Sequence, residues 1–460
     1  MKTTSMKDIV NLCQSRWFIY QWSEIYWWLA NSWDYWPYWS IMKENIKNLW
    51  LKEFIQKRDD VVLIDCALFM NPKVWEASGH VSWFSDPLMD CKECKERWRA
   101  DKLIDEHLLK NPNTKEPDNY AWDKTDSKVL KDFIEKEQIV CPDCGSTDFT
   151  DIRRFNLMLK SYIWVTEDSE SLIYLRPETA QWQFVNFANT LRTSRKKLPF
   201  WIAQVWKSFR NEITPWNFIF RTREFEQMEI EYFVTPWEDD EKFIHWQKES
   251  KRFFVEIIWI KEENVRFNPI KKEELPHYSK QAWDFEYKFP FWWWEIETLA
   301  NRTDYDLWAH MKKSKQDLSY FDPVNNKKFI PYVVEPAMWL GRIFLSALCD
   351  AYTIEWERTY LKLDPKVAPV KIWVLPVVKK IWDLAKKVYK MLSEDFVCEY
   401  DEVWSVWKRY ARFDEVWTPF CVTVDSENYE NWKVTVRFRD SMEQEIVDID
   451  NLNDFIKERL

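Results

Sequence analysis

The sequence predicts a mixed α/β protein of two or three domains with an antiparallel hairpin at its centre. Residues 209–233 read as two strands joined by a loop, and apolar and charged residues alternate through the returning strand at 223–231. Apolar residues recur at helical spacing within residues 41–54. From residue 370 onward, strand-like and helix-like runs alternate, which is typical of a small α/β domain.

Length and charge restrict the class of protein. A chain of 460 residues is long enough for two or three domains with their own cores. The net charge of -10 argues against a general nucleic-acid coat and leaves room for a local basic face. The N-terminus has no apolar signal core, and no run reaches the ~18 apolar residues of a membrane span. We therefore expect a soluble, cytoplasmic protein without a membrane partner.

Tryptophan and glycine occur in abnormal numbers. The chain has 33 Trp and 3 Gly, whereas average usage would give roughly 32 glycines in a chain of this length. Several tryptophans stand where turns favour glycine, namely on both sides of Pro37, after Pro215, after Pro236 and beside Asn431. We hypothesise that most of them are UGA codons translated as Trp in a lineage that reads UGA as Gly. The alternative is a genuinely Trp-rich protein.

A minority of tryptophans lie in apolar or aromatic settings without a turn signal, and we interpret them as genuine. These are Trp33, Trp50, Trp75, Trp246 and Trp293. The pattern leaves Trp98, Trp122 and Trp283 unassigned.

The N-terminal segment ends in a predicted amphipathic core helix. Residues 16–39 read RWFIYQWSEIYWWLANSWDYWPYW. The helical spacing that follows places charged residues on the face opposite the apolar ones. The apolar positions are Ile41, Met42, Ile46, Leu49, Trp50 and Phe54.

Two CxxC pairs predict a four-thiolate structural zinc site. Cys91 and Cys94 form the first pair, and Cys141 and Cys144 form the second in the knuckle pattern CPDCG. The intervening residues 102–137 are polar and charged, so we expect them to need a metal to hold their ends together. Reduced free thiols are the weaker alternative. The scattered cysteines are interpreted as structural: Cys13, Cys66, Cys349, Cys398 and Cys421.

The hairpin carries the residue types that bind a nucleotide. It opens with Phe209-Arg210-Asn211-Glu212, passes through a loop at 215–217, and returns through Arg221, Phe225 and Glu229 at four-residue intervals. An arginine fork matches phosphate oxygens, and an aromatic ring gives a base a surface on which to stack. We read the returning strand as having one solvated face, and a solvated hairpin with chance ion pairs is the structural alternative.

Four further segments carry distinctive patterns. Residues 175–182 read LRPETAQW, residues 288–306 read KFPFWWWEIETLANRTDYD, and residues 333–342 form a strand-to-helix turn that ends in arginine. The basic tract 192–197 is either a solvated face or a contact with RNA phosphates.

A proline-marked linker at 361–369 precedes the C-terminal domain. There we predict strands at 370–375, 420–424 and 434–438, and helices at 377–392, 404–413 and 451–460.

Together these segments resemble the class II aminoacyl-tRNA synthetases. The pattern Phe-Arg-x-Glu followed by Arg-x-x-x-Phe-x-x-x-Glu is similar to their motif 2, and residues 333–342 are similar to motif 3. With glycine at the turn positions, residues 16–39 and 175–182 resemble elements of the glycyl-tRNA synthetases of the homodimeric type. Residues 367–460 resemble the anticodon-binding domain of several class II synthetases.

The resemblance implies an α+β catalytic core whose antiparallel sheet is flanked by helices. Residues 1–90 are expected to be the N-terminal part of this core with the dimer interface, which we extend to the helix at 41–54. Residues 91–150 are the zinc-binding insertion, 151–362 the rest of the core, and 367–460 the α/β anticodon-binding domain. The implied partners are glycine, ATP with Mg²⁺, tRNA(Gly) and a second copy of the chain.

The resemblance also implies roles for single residues. Arg210 is expected to clamp the α-phosphate and the glycine carboxylate, Glu212 to accept from the adenine amino group, and Arg342 to contact adenine or the γ-phosphate. Glu295 is expected among the ATP contacts through Mg²⁺. The ATP-binding set is Arg210, Asn211, Glu212, Phe220, Arg221, Thr222, Arg223, Glu224, Phe225, Glu295, Ile296, Trp339, Leu340, Gly341 and Arg342.

Glycine offers only its ammonium and carboxylate groups, so we expect an acidic pocket too small for a β-carbon. Glu178, Glu229 and Glu335 are assigned to the ammonium. The full glycine-binding set is Arg99, Glu178, Phe225, Glu226, Gln227, Met228, Glu229, Arg302, Glu335, Pro336, Ala337, Met338 and Trp339.

Two departures from the family pattern matter. Ala337 stands where the family commonly has serine. Indoles in or beside the site would overfill a pocket for the smallest amino acid, and these are Trp182, Trp206, Trp292, Trp294 and Trp339. Two alternative functions stay open: a non-catalytic RNA-binding or polymerase-accessory relative, and a class II synthetase for threonine, proline or histidine.

Overall fold

The fold is seen in a computed structural model. The structure describes residues 5–15, 19–21, 23–26, 32–117, 120, 125–167, 170–212, 217–355, 358–403, 405, 408–410, 413 and 417–460. Parts of the predicted segment 16–39, of the hairpin loop at 215–217 and of the predicted helix at 404–413 lie outside these residues, as does Trp122.

Helices and strands are numbered in chain order. The helices are α1 Met6–Ser15, α2 Pro37–Leu51, α3 Pro72–Ala77, α4 His80–Trp83, α5 Ala100–Lys110, α6 Ser127–Lys136, α7 Ala180–Val185, α8 Phe187–Ser194, α9 Asp239–Arg252, α10 Tyr305–Ser314, α11 Leu340–Ala351, α12 Trp382–Ser393, α13 Ser426–Glu430 and α14 Leu452–Lys457. The strands are β1 Ile19–Gln21, β2 Trp33–Tyr35, β3 Val61–Leu63, β4 Ser85–Asp90, β5 Arg97–Arg99, β6 Arg153–Asn156, β7 Lys160–Tyr162, β8 Leu172–Tyr174, β9 Phe200–Phe209, β10 Glu224–Val234, β11 Val265–Pro269, β12 Gln281–Phe289, β13 Trp292–Thr303, β14 Tyr320–Asp322, β15 Lys327–Phe329, β16 Tyr332–Trp339, β17 Tyr352–Glu355, β18 Arg358–Leu361, β19 Ile372–Pro376, β20 Cys398–Tyr400, β21 Phe420–Val424, β22 Lys433–Phe438 and β23 Gln444–Asp448.

A seven-stranded sheet forms the centre of the molecule. Its strand order is β11-β12-β13-β16-β10-β9-β3, and neighbours are antiparallel except for the parallel pair β3 and β9. The predicted hairpin corresponds to β9 and β10, with Glu229 opposite Gln204 in register. Its first strand ends at Phe209, where we expected it to begin. The mixed α/β class and the antiparallel core sheet are therefore confirmed.

The expectation that β10 has one solvated face is wrong. From Gln227 to Val234 every residue of the strand is buried. Met228 and Ile230 face the main hydrophobic core, and the alternate polar residues face a pocket that the chain at 176–183 covers. The polar half of the alternation indicates a buried functional surface, because carboxylates persist in an interior only where other groups engage them.

Helix α2 forms at the predicted position, and its apolar face packs inside the chain. Trp39, Met42, Ile46 and Trp50 are buried, and the Trp39 indole lies 4.3 Å from the Phe344 ring of α11 between centroids. This apolar stripe is therefore used within one chain and does not itself supply the dimer contact that we assigned to the helix.

Residues 91–150 fold as a small unit around the two cysteine pairs. Helices α5 and α6 pack their apolar residues into a separate core that includes Cys91 and Cys141. The expectation that this polar stretch has little to hold it together apart from a metal is wrong, because Leu103, Ile104 and Phe133 supply an apolar core between charged positions.

The C-terminal part is a five-stranded mixed sheet of order β20-β19-β21-β22-β23. Strand β21 has the predicted bounds, while α12 begins later than predicted because residues 379–381 first form a 3-10 turn. Strands β20 and β23 and helix α13 were not predicted. Apolar residues of β19, together with Tyr410, Phe413, Trp417 and Cys421, join the main core of the central sheet.

Several tryptophans adopt the left-handed backbone that favours glycine. Trp237, Trp259, Trp417 and Trp432 have φ values of 75°, 68°, 72° and 58°. The prediction of positive φ is wrong at Trp36, where φ is −98°. Three tryptophans that we interpreted as genuine are fully buried core residues: Trp50, Trp75 and Trp246.

Among the described residues, no helix is both long and apolar enough to cross a membrane.

Candidate active site

A cavity of about 790 Å³ opens where β9 and β10 are joined. Its wall contains most of the predicted ATP-binding residues, together with Glu226. Those present are Arg210, Asn211, Glu212, Phe220, Arg221, Thr222, Arg223, Glu224, Phe225, Trp339, Gly341 and Arg342. Residues 210–212 and 219–223, which the structure describes between the two strands, therefore line a cavity rather than a solvated hairpin.

Arg210 and Arg342 enter the cavity from different elements. The Arg210 Nε donates to the Pro177 carbonyl at 3.1 Å, and its guanidinium lies 5.2 Å from the Phe225 ring centroid. Arg342, in the first turn of α11, donates from Nη1 to Glu295 Oε1 at 2.6 Å and lies 4.3 Å from the Phe220 ring centroid. These contacts fix both guanidinium groups beside aromatic rings on which a base can stack.

Electrostatics keep Glu295 charged. Although burial opposes ionisation, the facing Arg342 lowers the pKa of Glu295. Close by, burial and the charge of Glu295 raise the pKa of Asp284 to about 7. Glu295 is not among the residues of the cavity wall, but its ionised carboxylate is paired with Arg342, which is. The Ile296 side chain points elsewhere and is buried in the hydrophobic core.

A cluster of largely buried acidic residues, which we call the acidic pocket, lies further along the same face of the sheet. Glu229 accepts hydrogen bonds from the Thr179 backbone N–H at 3.0 Å and from the Thr179 hydroxyl. Glu335 accepts from Arg302 Nη1 at 2.9 Å, and Glu178 lies 3.3 Å from the His80 ring nitrogen. Glu178, Glu229 and Glu335 therefore converge, as the sequence predicted for the ammonium group.

The acidic groups titrate differently because their neighbours differ. Burial raises the pKa of Glu229 to about 8, and the charges of Glu335 and Glu178 contribute to the rise. Burial also raises the pKa of Glu335 to about 7, although Arg302 opposes the shift. For Glu178, burial opposes ionisation, but the interactions with His80 and Arg302 outweigh it and lower the pKa. The acidic pocket therefore combines the ionised Glu178 with two carboxyl groups, Glu229 and Glu335, whose pKa values lie near neutrality.

Not every predicted glycine-binding residue projects into this pocket. Met228, Met338 and Pro336 are buried, and the two methionines lie in the main core on the other face of the sheet. Arg99 lies outside the acidic pocket, where its guanidinium contacts Asp86 at 2.9 Å and Asp101 at 2.6 Å. Ala337 is opposite Glu229 in register.

Sequence reasoning missed part of the cavity wall. Ser32, Trp33, Asp34, Tyr35 and Lys43 line the cavity, and Lys43 forms an ion pair with Glu226. Residues 33–35 belong to the N-terminal segment already singled out, so the signal was present, but nothing in that segment indicates a contact with β10. The remaining wall residues that were missed are Leu159, Leu175, Lys207, Phe209 and Ile219.

Indoles border both pockets. Trp339 is opposite Gln227 in register and lies 4.5 Å from the Arg342 guanidinium. Around Trp206, buried polar atoms of Arg176, Gln204 and Ser208 have no hydrogen-bond partner among the described residues. Unpartnered polar groups around a large apolar ring indicate a poor local fit between the ring and its surroundings.

The four cysteines of the insertion converge in space. Their Sγ atoms all lie within 4.8 Å of one another, with Cys91 and Cys144 at 3.5 Å and Cys94 and Cys141 at 3.7 Å. A tetrahedral ion with Zn–S bonds of ~2.3 Å places sulfurs about 3.8 Å apart, so the cluster fits such an ion. Gly145 follows the second pair with a φ of 76°, which favours glycine.

Comparisons with known proteins match the whole chain. A family model described as an anticodon binding domain matches residues 371–459, and one described as glycyl-tRNA synthetase insertion domain 1 matches residues 118–157. The glycine–tRNA ligase of Acetivibrio thermocellus is 52% identical over 453 residues, which cover 97% of each chain. Those of Caldanaerobacter subterraneus subsp. tengcongensis and Alkaliphilus oremlandii are 51% and 50% identical, and each match covers 99% of this chain and 98% of the relative.

Proposed function

Because the chain belongs to the glycine–tRNA ligase family, we propose that it activates glycine with ATP and transfers the glycyl group to the 3′ end of tRNA(Gly). In the first step a glycine carboxylate oxygen bonds to the α-phosphorus of ATP, the bond to the bridging oxygen breaks, and pyrophosphate leaves. In the second step the terminal hydroxyl of the tRNA attacks the glycyl carbonyl, and AMP leaves.

One observation carries this proposal: an arginine-walled cavity and a buried acidic pocket share one face of β10. Phe225 lies at the cavity end of the strand, and Glu229 is four residues further into the pocket. A substrate that spans both therefore presents a phosphate group to the arginines and an ammonium group to the carboxylates. Activation of an amino acid requires this juxtaposition, because catalysis depends chiefly on positioning and charge stabilisation.

We assign the nucleotide contacts to the cavity wall. Arg210 stabilises the charge that develops on the α-phosphate, and Phe225 stacks on adenine. Glu212 accepts from the adenine amino group, and Arg342 holds the other end of the nucleotide. Mg²⁺ would be held by Glu295 together with phosphate oxygens, and it would neutralise charge on the leaving pyrophosphate.

We assign glycine recognition to Glu178, Glu229 and Glu335. Three carboxyl groups provide three acceptors for the three protons of a primary ammonium group. Arg302 positions Glu335 through the bond at 2.9 Å and is itself held by Asp306. We propose that crowding around these three carboxyl groups rejects a β-carbon and so excludes larger amino acids.

The remaining partners follow from the family and from the insertion. Zn²⁺ would be held by the thiolates of Cys91, Cys94, Cys141 and Cys144, where it would fix the fold of the insertion. Residues 371–459 would contact the anticodon of tRNA(Gly). We expect a homodimer that works in the cytoplasm.

A pyrophosphate-exchange assay tests the proposal. The full-length protein, made with the decoding that its own organism uses, should exchange labelled pyrophosphate into ATP only when glycine is present. Threonine, proline and histidine serve as the other amino acids, and exchange that depends on one of them would refute the assignment. Folded protein that exchanges with none of the four would instead indicate a non-catalytic relative.

A further inference from the structure

Glu231 is a buried carboxyl group that the assignments above do not use. It follows Glu229 by two residues on β10, so its side chain projects from the same face of the sheet. Its exposed fraction is 0%. Neither carboxylate oxygen has a hydrogen-bond partner among the described residues, although such a group in an interior normally has one.

More acidic than basic side chains face Glu231. Glu229 lies on its own strand, Glu335 on β16, Arg302 near the end of β13 and Asp306 on α10. The Arg302 guanidinium is directed at Asp306 at 2.7 and 2.8 Å and at Glu335 at 2.9 Å. Its single positive charge is therefore shared between Asp306 and Glu335, and none of its hydrogen bonds among the described residues reaches Glu231.

A buried, unpaired carboxylate is costly, so Glu231 favours its neutral form. Burial raises the pKa of Glu231 well above its usual range, and the charge of Glu335 adds to the rise. An ammonium group that enters beside Glu229 and Glu335 brings the positive charge that the pocket lacks. That charge favours the ionised form of every carboxyl group that faces it.

We propose that Glu231 is a positioning residue that holds a proton while the amino-acid pocket is empty and releases it to solvent when a primary ammonium group binds. The ammonium group keeps its three protons, the Glu231 carboxyl becomes a carboxylate, and the net charge of the pocket is unchanged. This inference rests on the proposed function, and it adds the release of one proton to the step in which glycine binds.

The release of a proton makes glycine binding depend on pH. Because the bound state holds fewer protons, affinity rises with pH, by up to tenfold per pH unit for each proton released. Glycine remains a zwitterion from pH 6 to 8, so the dependence must come from the protein. We expect the KM for glycine to fall over this interval in wild-type protein.

Calorimetry on full-length, exchange-active protein tests the inference directly. Glycine is titrated at pH 7 in two buffers of different ionisation enthalpy, and the difference in heat gives the number of protons released. Wild-type protein should release protons, and Glu231→Gln should release fewer by up to one per site. Its KM profile should also be flatter, with kcat changed less than KM.

Glu297→Gln is the matched control. Glu297 is also fully buried and lacks a partner for Oε2 among the described residues, but it accepts from Ser250 at 2.7 Å on the other face of the sheet. Its proton release on glycine binding should equal that of wild type. If Glu231→Gln is poorly folded, the wild-type measurements still test the inference. Glu231→Asp tests it as well, because it keeps an ionisable group and should retain the release of a proton.

Two results would overturn the inference while the proposed function stands: glycine binds without proton release, or Glu231→Gln releases as many protons as wild type. Absence of both glycine binding and glycine-dependent exchange would overturn the proposed function, and this inference with it.

Discussion

Arg342 of α11 is bonded through one side chain to strand β13 and to the 3-10 turn Phe218–Phe220. Its Nη1 donates to the Glu295 side chain at 2.6 Å and to the Glu295 carbonyl at 3.1 Å, while Nε donates to the Phe220 carbonyl at 3.3 Å. A planar fork can reach these acceptors and still present one face to a ligand. A lysine ammonium is a single point charge and cannot do so.

We therefore expect Arg342→Lys to lower glycine-dependent pyrophosphate exchange by about 10²-fold, the usual effect of losing one charge-stabilising donor. The control is Arg266→Lys, because Arg266 contacts Glu286 at 2.6 Å on the β11 edge of the sheet, outside the cavity wall. Equal activity in both variants would show that Arg342 does not contact the nucleotide.

Tryptophans at left-handed positions should be replaceable by glycine with a gain in stability. Trp237 and Trp432 have positive φ and are 78% and 49% exposed, so their indoles bury less surface than a core tryptophan does. A non-glycine residue in this region costs about 1–2 kcal/mol. Trp237→Gly and Trp432→Gly should each raise the free energy of unfolding by about 1 kcal/mol in denaturant titrations.

The opposite result is expected for Trp246, which is fully buried beside Trp201 at 4.6 Å between ring centroids. Trp246→Gly should destabilise the protein by more than about 3 kcal/mol. If all three variants lost stability, the glycine hypothesis would fail at these turns. The mass of native protein gives an independent answer, because each Trp that is really Gly lightens the chain by a fixed step.

At the scale of elements, the insertion is a unit with its own core. Helices α5 and α6 pack on Met89 and Phe149 together with Cys91 and Cys141. That core shares no residue with the core of the central sheet. Loss of the insertion's fold should therefore leave the sheet intact.

Cys144→Ser should remove a ligand from the four-sulfur cluster and lower the zinc content from about one ion per chain to a small fraction, as measured by elemental analysis. Limited proteolysis should then cut within residues 91–150, while the far-UV spectrum of the rest changes little. Cys398→Ser is the control, because Cys398 lies outside the cluster. Full zinc content in Cys144→Ser would contradict the assignment.

At the scale of the whole molecule, the folded chain holds protons that the unfolded chain releases. Burial raises the pKa of Glu297 to about 8, and Glu229 and Glu335 are raised as well. Because the folded state binds more protons above the ordinary carboxyl pKa, stability is largest below that value. It is lost as pH rises through the folded pKa of each group.

We expect the melting temperature of ligand-free protein to fall between about pH 5 and pH 8 through this contribution. Glu297→Gln should reduce the fall, because glutamine keeps the hydrogen bond with Ser250 and cannot ionise. Differential scanning calorimetry at several pH values measures the slope. An unchanged slope in Glu297→Gln would show that this carboxyl is not held neutral.

Much of this architecture can be predicted from local patterns, and the rest depends on contacts distant in sequence. The period of two in 223–231 predicts a strand, and two CxxC pairs predict a cluster. No local pattern indicates that β2 closes the nucleotide cavity, or that Glu231 joins the acids. Those facts depend on the strand order, which brings β16 and β9 to either side of β10. The predicted solvated face of β10 was wrong for the same reason, because residues 176–183, which are distant in sequence, cover that face.

The main hydrophobic core does not end at the linker between the two domains. Trp373 of β19 and Phe413 stack at 3.9 Å between centroids, and both belong to the core that contains Met42 and Ile46 of α2. Asn45 also donates to the carbonyls of Val367 and Ala368 at 3.2 and 2.9 Å. Cutting the chain at the linker would therefore expose apolar surface on each fragment, and we expect neither fragment to stay in solution alone.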